Sequence, residues 1–166
     1  MMNDKMEAGE HVVEFQHITG QDKLQEVKQL LTEYAESLNI DLAFQNFETE
    51  LKELPGKYCP PDGALILVTV DGNASGCVAL RRISDDICEM KRLYVRDAYR
   101  GLGIGRKLVA MVIEEAARLG YRYIRLDTLP TMEKALELYR ASGFYEIEPY
   151  VFNPIKGTRF LELKLQ

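Results

Sequence analysis

Residues 95–107 read VRDAYRGLGIGRK and join an apolar strand that ends at Val95 to an amphipathic helix. Three glycines in this stretch, Gly101, Gly103 and Gly105, let backbone N–H groups approach a ligand without an intervening Cβ. The first turn of the helix adds unpaired N–H donors and a partial positive charge. This strand–loop–helix arrangement predicts a cradle for a phosphate or pyrophosphate group.

The charges of this loop favour an anionic ligand. Arg96, Arg100, Arg106 and Lys107 stand against the acid Asp97, although the whole chain has a net charge of −5. The spacing fits neither the P-loop, which needs GxxxxGK followed by Ser or Thr, nor the dinucleotide motif GxGxxG, whose third glycine comes one residue later. A nucleotide-dependent enzyme is therefore the weaker alternative, and a surface turn with solvated arginines is the plainer one.

The elements around the loop predict a mixed α+β fold. Asp71-Gly72-Asn73 marks a hairpin turn, and Thr19 with Asp22 marks the start of a first helix. Antiparallel hairpins come first and a βαβ crossover follows, so we expect a mostly antiparallel sheet. Strands are expected at 11–18, 64–70, 75–82, 87–95, 123–127, 144–147 and 159–165, and helices at 21–38, 44–54, 104–119 and 131–142.

Length and composition predict one domain over 1–166, with 1–10 as a polar N-terminal extension. The chain has 166 residues, of which 46% are hydrophobic, and this suffices for a single core. Its 26 acidic against 21 basic residues argue against a general nucleic-acid binder. A polar start and the lack of a membrane-length apolar run predict a cytoplasmic protein without a membrane partner. Three scattered cysteines and two histidines suggest no metal site.

Two blocks of sequence carry a resemblance to a known family. Arg100, Gly103 and Gly105 fill the coenzyme A loop pattern Arg/Gln-x-x-Gly-x-Gly/Ala, within a stretch from Glu89 to Gly105. The second block, ALELYRASGF, covers residues 135–144. In order and separation these blocks resemble the GNAT superfamily of N-acetyltransferases. The resemblance implies a three-layer fold, a central twisted and mostly antiparallel sheet flanked by helices, with a βαβ core that binds acetyl-CoA.

The resemblance also implies where acetyl-CoA binds. Main-chain groups near Val95 run beside the pantetheine arm in this family, and an N–H there can polarise the thioester carbonyl. The cofactor-binding residues carried over in this way are Leu93, Tyr94, Val95, Arg100, Gly101, Leu102, Gly103, Ile104, Gly105, Arg106 and Lys107.

The implied reaction is acetyl transfer to a small-molecule or peptide amine by direct attack in a ternary complex. An amine with a pKa of about 10.4 is mostly protonated at neutral pH, so a carboxylate that removes its proton assists attack. Glu89 is the candidate base, and the strand pattern predicts that it shares a face with Leu93 and Val95. Tyr139 is the candidate acid. The plainer alternatives are a surface or edge-strand carboxylate paired with Arg81 or Lys91 for Glu89, and a core tyrosine with a satisfied hydroxyl for Tyr139.

One departure from the family concerns the arm of the cofactor. Met132 stands where many relatives have an asparagine, and Thr128 or Thr131 is the candidate substitute. The acceptor class stays open between polyamine, antibiotic, amino acid, peptide N-terminus and protein lysine, and a homodimer stays among the options. A CoA-binding sensor without useful turnover is the alternative function. Aromatic and acidic residues expected near the acceptor are Phe44, Gln45, Phe47, Glu48, Tyr150, Phe152 and Asn153.

Overall fold

An eight-stranded sheet with four α-helices forms the described part of the protein, residues 4–166 apart from the Phe44 side chain, in this computed structural model. The strands are β1 (Asp4–Ala8), β2 (His11–His17), β3 (Ala64–Val70), β4 (Asn73–Arg82), β5 (Ile87–Val95), β6 (Tyr123–Thr128), β7 (Tyr145–Ile147) and β8 (Arg159–Lys164). The helices are α1 (Leu24–Leu38), α2 (Phe47–Glu53), α3 (Ile104–Arg118) and α4 (Glu133–Ala141).

The sheet has the strand order β1-β2-β3-β4-β5-β6-β8-β7. Every neighbouring pair is antiparallel except β5 and β6, which are parallel and are connected through α3. A parallel pair requires a crossover connection, and the helix after the glycine loop supplies it. The loop therefore lies beside the one parallel pair of the sheet.

Burial on both faces explains the sequence of β3. Its residues Ala64–Val70 form a nearly continuous apolar run, and alternate side chains enter two separate cores. Ile66 packs in the core that contains α3 and α4, whereas Leu65 packs in the core that contains α1 and α2. Helices cover both faces and give three layers, so the predicted mixed α+β fold is confirmed.

Helix α3 follows from a stripe of apolar side chains at helical spacing. Leu108, Val112 and Ala116 are fully buried against the sheet. Gly120 has a φ of 91°, which is the left-handed conformation that ends many helices, and this matches the predicted stop. The two longest helices have 15 residues each, and no helix in the described part of the chain has the length and apolar character needed to cross a membrane.

The beginning of the chain differs from the expectation. Part of the 1–10 segment, expected as a polar extension, forms the edge strand Asp4–Ala8 on β2. The predicted helix cap at Thr19 and Asp22 is wrong, because α1 begins one residue after Lys23, which takes a left-handed φ of 65°. Neither feature has an apolar pattern that a sequence reading can detect.

The predicted hairpin between β3 and β4 is confirmed. Its turn residues Asp71 and Gly72 have φ angles of 49° and 84°. Positive φ at both central positions is the geometry of a type I′ turn, whose twist suits adjacent antiparallel strands.

Candidate active site

The two parallel strands separate soon after they meet. Backbone pairing joins residues 87–89 of β5 to residues 123–125 of β6 and goes no further, although β5 continues to Val95 and β6 to Thr128. We call the resulting opening the slot. Its walls come from both strands, from α1 and the segment that follows it, and from the α4 region. Its lining residues include Met90, Lys91, Leu93, Asp127, Thr128, Met132 and Tyr139.

A β-bulge in β5 decides which side chains face which side of the sheet. Arg92 has a positive φ of 62°, and the pairing register with β4 shifts at this point. Glu89 therefore lies on the α1–α2 side, whereas Leu93 and Val95 pack against the core on the α3 side. The expectation that all three share one face is wrong, because the extra residue reverses the alternation of the strand.

The glycine loop contains two glycines in the left-handed conformation and is open on one side. Gly101 and Gly103 have φ angles of 89° and 78°, which strain other residue types, and Gly103 is the N-cap of α3. A Cβ added at either glycine would meet no atom within 4 Å, so the loop is open on that side. The Ile104 side chain is buried, and only its backbone can face a ligand. Leu102 is partly buried against the same core.

The charges of the loop are less concentrated than the sequence suggests. Arg100 pairs with Asp97 at 2.9 Å on the surface, and Arg106 is exposed. The ammonium of Lys107 lies 3.3 Å from a carboxylate oxygen of Asp4, on the edge strand. Arg96 donates at 2.8 Å to Glu33 of α1 and to the Ala74 carbonyl at 2.7 Å, so it ties β5 to its neighbours rather than facing the cradle.

Tyr139 lies in the slot on helix α4. Its ring packs edge-to-face on Phe144, with the ring centroids 5.9 Å apart. Burial raises the pKa of the Tyr139 hydroxyl well above its ordinary value, and the nearby Tyr34 and Asp127 raise it further. A tyrosine hydroxyl carries its proton at neutral pH in any case, and the raised pKa makes this one a weaker acid than an exposed tyrosine.

Glu89 is a buried carboxylate at the wall of a cavity. Only 1% of the residue is exposed. One carboxylate oxygen accepts a hydrogen bond from Arg81 Nε at 2.8 Å, and the other accepts one from the Tyr150 hydroxyl at 2.7 Å. The pairing with Arg81 is thus real, but it lies inside the protein and not on the surface. Arg125 stacks over the Tyr150 ring at 5.3 Å and holds that ring in place.

A second cavity lies on the α1–α2 side of the sheet and has a volume of about 410 Å³. We call it the acceptor cavity, because Gln45 and Phe152, two residues expected near an acceptor, line it. It adjoins the slot, because Gln45, Lys91 and Asp127 line both. Its wall is formed by α2 and the segment after it, by β4 to β6, and by the segment before β8. Its lining includes Gln45, Thr49, Glu50, Lys57, Tyr58, Arg81, Glu89, Lys91, Asp127, Val151 and Phe152.

The residues expected near the acceptor divide into two groups. Gln45 and Phe152 line the acceptor cavity, Asn153 lines the slot, and Tyr150 holds Glu89. Two of the others line neither cavity: Phe47 is buried under Arg92, and Glu48 is exposed on α2. The Phe44 side chain lies outside the described part of the chain.

Comparison with known proteins shows the family of the chain. The family model described as the acetyltransferase (GNAT) family matches residues 24–144. The chain belongs to the GNAT acetyltransferase family.

Several curated proteins are similar to this GNAT chain. An uncharacterized N-acetyltransferase of Schizosaccharomyces pombe is 41% identical over 144 residues, covering 86% of this chain and 88% of the relative. An uncharacterized N-acetyltransferase of Dictyostelium discoideum is 34% identical over 207 residues, covering 87% of this chain and 96% of the relative. The N-acetylaspartate synthetase of Rattus norvegicus is 32% identical, covering 69% of this chain and 40% of its own length.

Solved structures show that the fold is shared. An acetyltransferase from Streptococcus agalactiae has a TM-score of 0.78 at 22% identity, covering 92% of this GNAT chain and 98% of its own. A GNAT family acetyltransferase from Elizabethkingia anophelis with acetyl-CoA bound has a TM-score of 0.63 at 20% identity, covering 92% and 98%.

An unpartnered hydroxyl indicates how this GNAT protein fits its family cofactor. Thr128 is 4% exposed and lines the slot, and its Oγ1 has no hydrogen-bond partner in the described part of the chain. A buried hydroxyl normally has a partner, so the slot offers a hydrogen bond to a ligand. Thr131 is exposed outside the slot, and Met132 lines it. Of the two threonines considered in place of the family asparagine, only Thr128 is suitably placed.

The sequence reading missed the charged residues of the acceptor side. Arg81, Lys91 and Asp127 line the acceptor cavity of this GNAT protein. The signal was present, because charged residues alternate with apolar ones along β5 and β6. Such alternation is typical of a solvent-facing side, and nothing in it reveals that α1 and α2 cover the charges.

A second missed feature is a buried network beside the cavity. Arg92 donates to both carboxylate oxygens of Glu50, at 2.9 and 3.1 Å, and Glu50 also accepts a hydrogen bond from the Tyr58 hydroxyl at 2.8 Å. The Arg92 guanidinium lies over the Phe47 ring at 5.1 Å. This network fixes the bulge of β5 to α2 and sets the position of the neighbouring Lys91.

Proposed function

We propose that this protein transfers the acetyl group of acetyl-CoA to a primary amine by direct attack in a ternary complex. The observation that carries the proposal is the path of β5, which runs from Glu89 in the acceptor cavity, past Leu93 in the slot, to the glycine loop. A donor in the slot and an acceptor in the cavity would therefore meet at one opening. The acetyl-CoA-bound relative and the relatives named N-acetylaspartate synthetase support this assignment.

The residues that would hold acetyl-CoA lie along one line. Backbone N–H groups of Gly103 to Arg106 open the helix and suit the pyrophosphate, whereas the Lys107 N–H already donates to the Gly103 carbonyl at 3.1 Å. The free edge of β5 at Leu93 and Val95 and the Thr128 hydroxyl suit the amides of the pantetheine arm. The bound cofactor supplies an activated thioester.

Glu89 accepts the proton that the attacking amine loses, directly or through one water. Its two hydrogen bonds, from Arg81 and Tyr150, keep the carboxylate in one orientation at the cavity wall. A fixed carboxylate within reach of the amine is the usual arrangement for general base catalysis, which contributes roughly 10²–10⁴-fold in rate.

Tyr139 donates a proton to the departing thiolate. Tyr139 lines the slot, and a tyrosine hydroxyl carries its proton at neutral pH. A proton donor placed at the leaving group lowers the cost of breaking the thioester.

An acceptor screen tests this function. Purified protein is incubated with acetyl-CoA and a panel of primary amines, and products are identified by mass spectrometry together with thiol release. Glu89→Gln and Tyr139→Phe should each lower kcat by roughly 10²-fold or more while CoA affinity stays within about 2-fold. Matched controls are Glu146→Gln and Tyr145→Phe, which alter side chains on β7, outside both cavities.

The outcomes separate the two candidate functions. Acetylated product from one class of amine, lost in the two site variants and kept in the controls, supports the transferase. Tight CoA binding without turnover on any amine favours the sensor. Unchanged kcat in both site variants would remove Glu89 and Tyr139 from the mechanism.

A further inference from the structure

Two basic side chains that line the acceptor cavity, the exposed Lys57 and the half-buried Lys91, have no acidic partner within the described part of the chain, and of these two only Lys91 also lines the slot. Arg81 is paired with Glu89 and Arg92 with Glu50. Lys91 Nζ has only the amide oxygen of Gln45 at 3.5 Å. Within the described part of the chain, no carboxylate lies within 4.0 Å of this ammonium.

Lys91 and Asp127 lie opposite each other across the narrow end of the slot. The last parallel pair of the sheet is Glu89 with Arg125, and two residues further along each strand come Lys91 and Asp127. Within the described part of the chain no oxygen of Asp127 lies within 4.0 Å of Lys91 Nζ, so the two charged groups do not form an ion pair. Both residues line the slot and the acceptor cavity.

The environment of Lys91 is unfavourable for a cation without a ligand. The residue is half-buried, and its pKa is lowered by burial first and by the neighbouring Arg92 second, while the more distant carboxylates of Glu89, Asp127 and Glu50 offset part of this shift. A partly buried ammonium is stabilised when an anion supplies a charge-assisted hydrogen bond. Asp127 already accepts a hydrogen bond from Asn153 at 3.1 Å, so its carboxylate is held in place and faces the opening.

We infer that the acceptor is an amine that also bears a carboxylate, of the α-amino acid class, with its carboxylate on Lys91 and its amine beside Asp127. This inference rests on the proposed function and narrows its substrate. An α-amino acid brings one negative and one positive group close together, which matches the Lys91–Asp127 pair. A polyamine or a protein lysine brings only positive charge and leaves Lys91 without a partner.

Matched pairs of acceptors test the inference. Each common L-amino acid is compared with its own carboxamide, which keeps the amine and removes the negative charge. We expect Lys91→Met to raise KM for the preferred acid by roughly 10-fold to 100-fold, the loss expected for one charge-assisted hydrogen bond. KM for the carboxamide should change by less than about 2-fold. Comparing the same variant on both acceptors cancels their different intrinsic basicity.

Two further variants control the interpretation. Lys52→Met removes an exposed lysine of α2 outside both cavities and should leave KM unchanged. Lys91→Arg keeps the charge and should recover part of the affinity for the acid. Binding of each acid and carboxamide to the CoA-loaded protein is also measured by calorimetry, so that a result exists without turnover.

The outcomes distinguish this inference from the proposed function. Equal use of acid and carboxamide by the unaltered protein would overturn the inference and leave acetyl transfer intact. Binding of acids alone, lost in Lys91→Met, would support the inference even if no amine were acetylated. Binding of neither class, or binding unaffected by Lys91→Met, would overturn it.

Discussion

Replacing Thr128 with valine should change ligand-free stability and cofactor affinity in opposite directions. Valine keeps the shape of the side chain and removes a buried hydroxyl that has no partner in the described part of the protein. An unsatisfied buried polar group costs about 1–3 kcal/mol. Taking the lower end of that range, we expect the ligand-free variant to gain about 1 kcal/mol, which corresponds to a rise in Tm of about 2–4 °C for a chain of this size.

The same substitution should weaken cofactor binding. If the Thr128 hydroxyl bonds to the pantetheine arm, its loss removes one neutral hydrogen bond, worth about 0.5–1.5 kcal/mol. The Kd of CoA should therefore rise by roughly 2-fold to 10-fold, since 1.4 kcal/mol corresponds to about 10-fold in affinity. Differential scanning fluorimetry gives the Tm of the ligand-free protein, and isothermal titration calorimetry gives the Kd.

Thr158→Val is the matched control. The Thr158 hydroxyl donates to the Ile155 carbonyl at 2.7 Å, outside the slot. Its removal should lower Tm and leave the Kd of CoA unchanged. If Thr128→Val instead lowered Tm and left the Kd unchanged, the hydroxyl would have a structural partner and no role in binding, and the fit of the slot to the cofactor would lose its support.

Three further predictions concern the loop, strand β2 and the thiols. Gly103→Ala should cost about 1–2 kcal/mol of stability, because φ there is 78°, and it should also weaken CoA binding. The control Gly20→Ala, at an open site without positive φ, should change neither quantity. Thermal melts measure the stability of both variants, and calorimetry measures their CoA binding. Burial lowers the pKa of His17, so stability present above about pH 6.5 is lost on acidification; His17→Leu should flatten the fall in Tm between about pH 7.5 and about pH 5. Native protein treated with iodoacetamide near neutral pH should be modified at Cys59 alone by mass spectrometry, because the other two thiols are buried and burial raises the pKa of each to about 12.

The parts of the fold that the sequence predicts best are those with strong periodicity. The run of Ala64–Val70, the Asp71-Gly72 turn and strand Ile87–Val95 all lie where the pattern places them. Edge strand Asp4–Ala8 was not predicted because its residues are mostly polar; only Met6 and Ala8 pack against the core, and the strand pairs with β2. The start of α1 was not predicted correctly, because the helix begins after the left-handed residue Lys23 and has no capping side chain.

The site was only partly predictable for a different reason. The glycine loop, Glu89 and Tyr139 were predicted as site residues from sequence motifs. In the structure Tyr139 lines the slot, Glu89 lines the acceptor cavity, and the two cavities adjoin. The bulge at Arg92 has no signal in the sequence, since a positive φ at an arginine is rare, yet it decides on which side Leu93 points. The partner of a charged residue such as Lys91 depends on contacts distant in the chain, and local spacing does not reveal them.

The early parting of β5 and β6 has a mechanical consequence. Three residue pairs, Ile87–Tyr123, Cys88–Ile124 and Glu89–Arg125, make up the whole backbone ladder between the N-terminal five strands and the C-terminal three. A pantetheine arm bound along the unpaired edges of β5 and β6 would connect the two strands where they have no backbone hydrogen bonds to each other. We therefore expect cofactor binding to slow amide hydrogen exchange in β6, β7 and β8 more than in β3 and β4. The bound cofactor would then determine how rigid the three C-terminal strands are, including β6, which carries Asp127.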